Sequence, residues 1–218
     1  MKKEMSYSKK KRLTFGLLVK LLILPILFVG FLIVIKSLDY TTPNFSQGFL
    51  INKEEVFQGI YKYAFYIHIL ASPLALFTGT VNAFFRLEQN YRKWHRVIGT
   101  TFLYLVLCLV APSGLIMSFY AFGGTAGVIG FLVLSVLLFL FAFKGFKSIR
   151  EQKIQQHQQF MIRAYILMLS AIWLRIFSFV TSHYFEWYGE TKYAVIAWAS
   201  WLPFLLIYEA LLYRQKLA

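Results

Sequence analysis

Long apolar runs constrain this chain more than any other feature. A spanning helix needs about 20 mostly apolar residues. Six runs approach or exceed that length, at about 13–35, 62–84, 97–119, 126–142, 160–182 and 192–213. None alternates with period two, and an open sheet edge finds no partner in lipid, so each reads as a helix. The expected fold is an all-α integral membrane protein with six transmembrane helices. Helices two to five form a four-helix core, with helices one and six at its periphery. Residues 1–12 are a basic cytoplasmic tail and 13–218 a single membrane domain, with one long outer loop at about 36–61. The first run starts on Lys9-Lys10-Lys11-Arg12. It exceeds the roughly 7–15 residues of a signal-peptide core, and no small-x-small site follows it, so it reads as an uncleaved helix.

The basic residues orient these helices. With the N-terminus inside, 18 of the 23 lysines and arginines fall on the inner side; Lys36, Lys53, Lys62 and Lys192 fall outside, and Arg175 lies within a span. The positive-inside rule then places both termini in the cytoplasm, with the chain in an inner (plasma) membrane. The net charge of +14 thus reads as a topology signal that meets anionic lipid headgroups, and no nucleic-acid partner is expected. Cys108 is the only cysteine, which excludes an internal disulfide, a thiolate zinc site and covalent haem attachment.

The polar residues left in the spans carry the candidate chemistry, because an ionisable group is costly to bury in lipid. All four histidines fall in or beside a span. His95 and His157 lie at the inner feet of outward-running helices, each after a basic turn (Arg86…His95 and Arg150…His157). His68 lies in the outer half of the second helix, and His183, a weaker candidate, at the outer end of the fifth. Facing imidazoles in a helical bundle can ligate a b-type haem without cysteine. Gly99, one turn above His95, and Gly79, below His68, would leave room for the ring. Arg163 and Arg175 would hold its propionates or another anion. Simpler readings stand beside these: helix-end histidines, glycines for close helix packing, and an arginine snorkelling to lipid phosphate. Pro73 and Pro112 read as kinks whose freed carbonyls could line a cavity. Among the nine acids only Glu209 lies within a span. That disfavours carboxylate-driven carriers and hydrolases; no Walker, dinucleotide or His-Glu-x-x-His motif occurs either.

Together, His68, His95-Arg96-Val97-Ile98-Gly99, Pro112-Ser113-Gly114, His157-x-x-x-Met161-x-Arg163 and Arg175 resemble a bacterial family of predicted membrane proteins, domain of unknown function 2306. The likeness covers roughly residues 60–180, with Phe160 where that pattern has tryptophan. The family implies no established activity, but its layout is similar to the haem-b membrane cytochromes. The expected function is accordingly a b-type haem electron-transfer protein, a membrane oxidoreductase exchanging electrons with a quinone or respiratory-chain proteins. His95 and His157 would be the iron ligands, with His68 an outer ligand or quinone partner. Two alternatives stand: a non-enzymatic assembly or interaction factor for a respiratory complex, and a transporter or anionic-lipid-binding protein.

Overall fold

The computed structural model describes residues 23–46, 48–84 and 92–217. Every regular element among them is helical. In chain order these are α1 (Ile23–Leu38), a short 3₁₀ turn (Gly48–Leu50), α2 (Gly59–Phe84), α3 (Arg92–Tyr104), a π-helical turn (Leu105–Val110) and α4 (Ala111–Ser118). They continue with α5 (Gly124–Arg150), α6 (Ile154–Met168), α7 (Ser170–Tyr184), α8 (Glu190–Ala199) and α9 (Leu202–Leu217). Five helical stretches are long and apolar enough to cross a membrane: Gly59–Phe84, Arg92–Ser118, Gly124–Arg150, Ile154–Tyr184 and Glu190–Gln215. They match the expected second to sixth helices. The expected first span is represented by α1; residues 13–22 of it, and Arg86 with its turn, lie outside the described residues.

Large apolar side chains point outward. Leu70 and Phe77 of α2 keep 66% and 55% of their surface, as does Phe143 of α5 with 47%. A water-soluble protein would hide such a surface; in lipid it is the correct outside. The buried side holds small residues and close contacts, including Ala71, Ala75, Ala142 and Ala164, which bring helices together where lipid supplies no hydrophobic drive.

Four spans close a ring. α2 packs on α3 and α4, α4 on α5, α5 on α6, and α6 back on α2, while α8 lies outside against α5 and α7. α3 and α6 make no direct contact and stand diagonally opposed, as do α2 and α5. One end of the bundle carries Arg92, Lys144, Lys147, Arg150, Lys153 and Arg214, all exposed, and is called here the basic end. The opposite, loop end carries the 3₁₀ turn and the connections at Tyr120 and Gly189.

Three of the spans are interrupted, each for a local reason. Pro112 has no N–H for the carbonyl four residues back, and the helix before it widens to π, with the Ala111 N–H reaching Val106 O. At Leu169 the Ile172 N–H bonds three residues back rather than four (2.9 Å), tightening the turn between α6 and α7. As a result α6 runs along α2 and α5, whereas α7 has α8 as its main neighbour and joins the common core through Ile172 and Ile176. A third break, at Ser200–Trp201, precedes Pro203 in the first turn of α9.

The loop end has its own small core, made by Leu50, Phe57, Tyr61, Ala64, Phe65 and Met117. Lys53 is pinned into it with 4% of its surface exposed. Its ammonium donates to Tyr120 O (2.7 Å) and to the Tyr61 hydroxyl (3.2 Å), and lies 4.5 Å from the ring centres of both Phe49 and Phe122. One group thereby ties the loop to α2 and to the α4–α5 turn. That turn is tight: Gly123 has φ +97°, and a Cβ there would meet Ala194 N at 2.6 Å.

Two outcomes follow from this packing. A Cβ on Gly79 would lie 2.8 Å from Phe102 and 3.1 Å from Tyr165. Gly79→Val is therefore expected to lose about 1–3 kcal/mol through overpacking, read as a lower thermal midpoint in detergent. Burial pushes the Lys53 amine down to about 8. The folded state then binds fewer protons than the unfolded one between about 8 and the ordinary lysine value, so stability rises with pH across that window. The full gain is about 3 kcal/mol, and melting curves between pH 7.5 and 9.5 should show its onset in the wild type and a flatter profile in Lys53→Met.

Candidate functional site

Apart from His183, the candidate site residues fall at two levels of the bundle. At the basic end, His95 on α3 and His157 on α6 are electrostatic neighbours across the diagonal of the ring. His157 is half-buried, and its Nδ1–H donates to Gly145 O on α5 at 2.8 Å, since a carbonyl can only accept. That fixes the tautomer and leaves Nε2 with its lone pair. His95 is exposed, and its own carbonyl accepts from Asn82 Nδ2 at 3.3 Å.

The glycines expected to make room for a planar ring are already occupied. A Cβ at Gly99 would lie 2.6 Å from Asn82 Nδ2, and the space beside Gly79 is filled by Phe102 and Tyr165. In the structure the missing side chain of Gly99 admits the Asn82 amide. Arg163 also finds a partner within the protein. Its guanidinium forks onto Glu209 of α9 through Nε–Oε1 (2.5 Å) and Nη2–Oε2 (2.8 Å), and sits 5.4 Å from the Phe160 ring centre. The expected anion is therefore supplied by the chain's own carboxylate.

The second level lies deeper, toward the loop end. His68 is nine residues into α2, and Arg175 is nine residues from the end of α7. At 1.5 Å per residue both sit about 13 Å from their helix ends. They are electrostatic neighbours, and Tyr40, just after α1, is a neighbour of Arg175.

The α3–α4 bulge orients His68. Its Nδ1–H donates to Val110 O (3.2 Å), with the Ser113 hydroxyl 3.1 Å away. Ser113 itself donates to Leu109 O (2.5 Å). The ring lies against Gly114, where a Cβ would meet both His68 Cε1 and Ser135 Oγ at 3.1 Å. Nε2 makes no hydrogen bond within the described residues. It is therefore a lone pair held in place and available to a ligand.

Arg175 differs from Arg163 in having no carboxylate. Its one hydrogen bond within the described residues is from Nη1 to Ala171 O on its own helix (2.8 Å), and the side chain stays exposed. Tyr40 is held at this level from three sides. Its carbonyl accepts from the Tyr66 hydroxyl, its hydroxyl accepts from Phe49 N–H (2.9 Å), and its ring stands edge-on to Phe65.

The structure does not join the weaker candidate, His183, to His68. It is exposed in the last turn of α7, stacked on Phe179 at 5.4 Å and edge-on to Tyr184. Sequence reasoning missed Tyr40, Ser135 and the Val110 carbonyl. Pro112-Ser113-Gly114 was the usable signal, because a proline followed by a hydroxyl and a glycine marks a disturbed, closely approached helix.

No curated protein and no solved structure matches the chain. A family profile described as "Predicted membrane protein (DUF2306)" matches residues 65–212, a stretch holding His68, His95, His157, Arg163 and Arg175. The chain belongs to this family of predicted membrane proteins.

Proposed function

We propose that this chain is a ligand-holding membrane protein, in which His68 and Arg175 grip the polar head of an amphipathic molecule. The observation that carries this reading is a guanidinium within a membrane-spanning helix that has no carboxylate among the described residues. His68, its electrostatic neighbour, has an Nε2 with no hydrogen bond among the described residues. Charged groups inside a membrane pair with one another or with a ligand, and at the other level of this bundle Arg163 does pair. On the positive-inside rule the basic end lies in the cytoplasm, which puts both termini there and the level of His68 and Arg175 in the outer half of the inner membrane.

A second reading, b-type haem and electron transfer, is favoured by the tautomer of His157. A metal-ligating histidine characteristically gives its other ring N–H to a carbonyl or carboxylate, as His157 does to Gly145. Here His95 and His157 would be the iron ligands. Bound haem would supply one-electron redox chemistry; the chain's part would be to hold the two imidazoles in register. The side chains now filling the Gly79 and Gly99 notches weigh against it.

Two measurements separate these readings. Native mass spectrometry of the detergent-released wild type should show a co-purifying amphiphile of discrete mass. Arg175→Gln should carry at least tenfold less of it, with an unchanged far-UV spectrum. A wild type free of any adduct, which also takes up none from a lipid extract, would refute the first reading. For the second, oxidised and dithionite-reduced absorption spectra after haem feeding of the host should show a Soret band that His157→Ala abolishes. A colourless protein sinks it.

A further inference from the structure

Pro203 leaves a gap in the last span. α8 is 10 residues long, about 15 Å, so it ends about half-way through a hydrocarbon layer of about 30 Å. There the chain breaks before α9 starts at Leu202. The carbonyls around the break are satisfied one by one. Ile196 O accepts from Ser200 N–H (3.0 Å), Ala197 O from the Ser200 hydroxyl (3.0 Å), Trp198 O from Trp201 N–H (3.4 Å) and Trp201 O from Leu205 N–H (3.1 Å). Ala199 O is passed over. Its helical donor would be the N–H of residue 203, and proline has none. No other donor reaches it among the described residues.

A cavity of about 430 Å³ lies at the same place, within the size range of a small-molecule site. Ala199, Leu202 and Pro203 line it on both sides of the break, with Ala194, Val195 and Trp198 of α8 and Ala126 of α5. A helical carbonyl points along the axis at the residue four ahead. Ala199 and Pro203 both line the cavity, so the free carbonyl between them opens into it. Ala126, Val195 and Pro203 are exposed, which turns the mouth of the cavity toward lipid.

The lining restricts the occupant in three ways. None of the lining residues is charged, so an ionic head finds no partner at this depth. The carbonyl requires a donor, and neither hydrocarbon nor a plain acyl chain supplies one. The third restriction is the Trp198 wall. Its indole N–H is engaged by Ala126 O (3.1 Å), and Nε1 stands against Gly130, where a Cβ would lie 3.1 Å away. The indole is therefore a fixed wall with no donor left, suited to packing against another ring.

We infer that this cavity binds a neutral phenolic lipid, with the reduced, hydroquinone form of a quinone as the simplest example. Its O–H donates to Ala199 O, its ring packs on Trp198, and its tail leaves past Val195 and Pro203 into the bilayer. An oxidised quinone carries only acceptors and leaves the carbonyl unmet. The lining comes from α5, α8 and α9, so the site is separate from His68 and Arg175 and does not depend on them.

The test uses the full chain in detergent and a photoreactive 4-alkylphenol. Peptide mass spectrometry should locate the label at residues 194–203 or at Ala126. Dodecylphenol should displace the probe about fivefold more effectively than its methyl ether, which keeps ring and tail but has no O–H, as one net hydrogen bond allows. Decylhydroquinone should exceed decylquinone by a similar factor. Pro203→Ala returns an N–H to Ala199 O. It should keep the affinity for the methyl ether and bring phenol and ether to parity, a result that misfolding would not give. Val195→Trp, at the exposed wall, should exclude both ligands. Equal displacement by the phenol and its ether in the wild type overturns the inference, as does labelling confined to other segments. Dodecanol displacing the probe as well as dodecylphenol would assign the cavity to an aliphatic alcohol and overturn the phenolic head.

Discussion

In lipid, a backbone carbonyl that its own helix does not satisfy must find a donor in the protein. In the span Arg92–Ser118, Pro112 has no N–H for Cys108 O, and the helix beside it widens to π. Ser113 and His68 donate to the neighbouring carbonyls of Leu109 and Val110. Much of the loop-end geometry depends on this disturbed stretch. It sets the tautomer of His68 and holds the ring against Gly114. A π-bulge in a helix commonly marks a functional position; here the reason is visible, since an irregular backbone recruits the histidine.

The two arginines show how position changes the meaning of one residue type. Arg163 is satisfied by Glu209, and the fork joins α6 to α9 across the bundle. Arg175 lies past the break at Leu169, on α7, and has no such carboxylate among the described residues, Glu209 being paired with Arg163. The same charge is a cross-brace in one half and an unmet demand in the other. Aromatic enclosure separates the lysines from Arg175 in a similar way, because π faces and carbonyls can satisfy an ammonium while leaving most of a guanidinium's donors unused.

The spans, their order and the two levels of polar residues were legible from apolar run length and charge alone, since both are properties of sequence stretches and need no partner. The depth of His68 and Arg175 followed from counting residues along helices. What stayed hidden depended on side chains from distant positions. Gly99 looked like a slot because the sequence does not show that Asn82 reaches into it. Arg163 looked available because Glu209 is 46 residues away along the chain. The break at Leu169 has no proline or glycine to announce it. Lys53 read as one more outer charge, because its cage is assembled from Phe49, Tyr61, Tyr120 and Phe122 only after folding.

Interruptions at Leu169 and at Ser200–Trp201 bound α7 and α8 on either side, and Lys192 ties the two helices together through Ser182. They form a hairpin with a joint at each root, while α6 and α9 below the joints are braced by Arg163 and Glu209. The hairpin is anchored through α8, which packs along α5 with the Trp198 indole N–H on Ala126 O (3.1 Å). α7 therefore takes its bearing from α8 and from the joint at Leu169, and Arg175 rides on a helix whose position those two attachments fix.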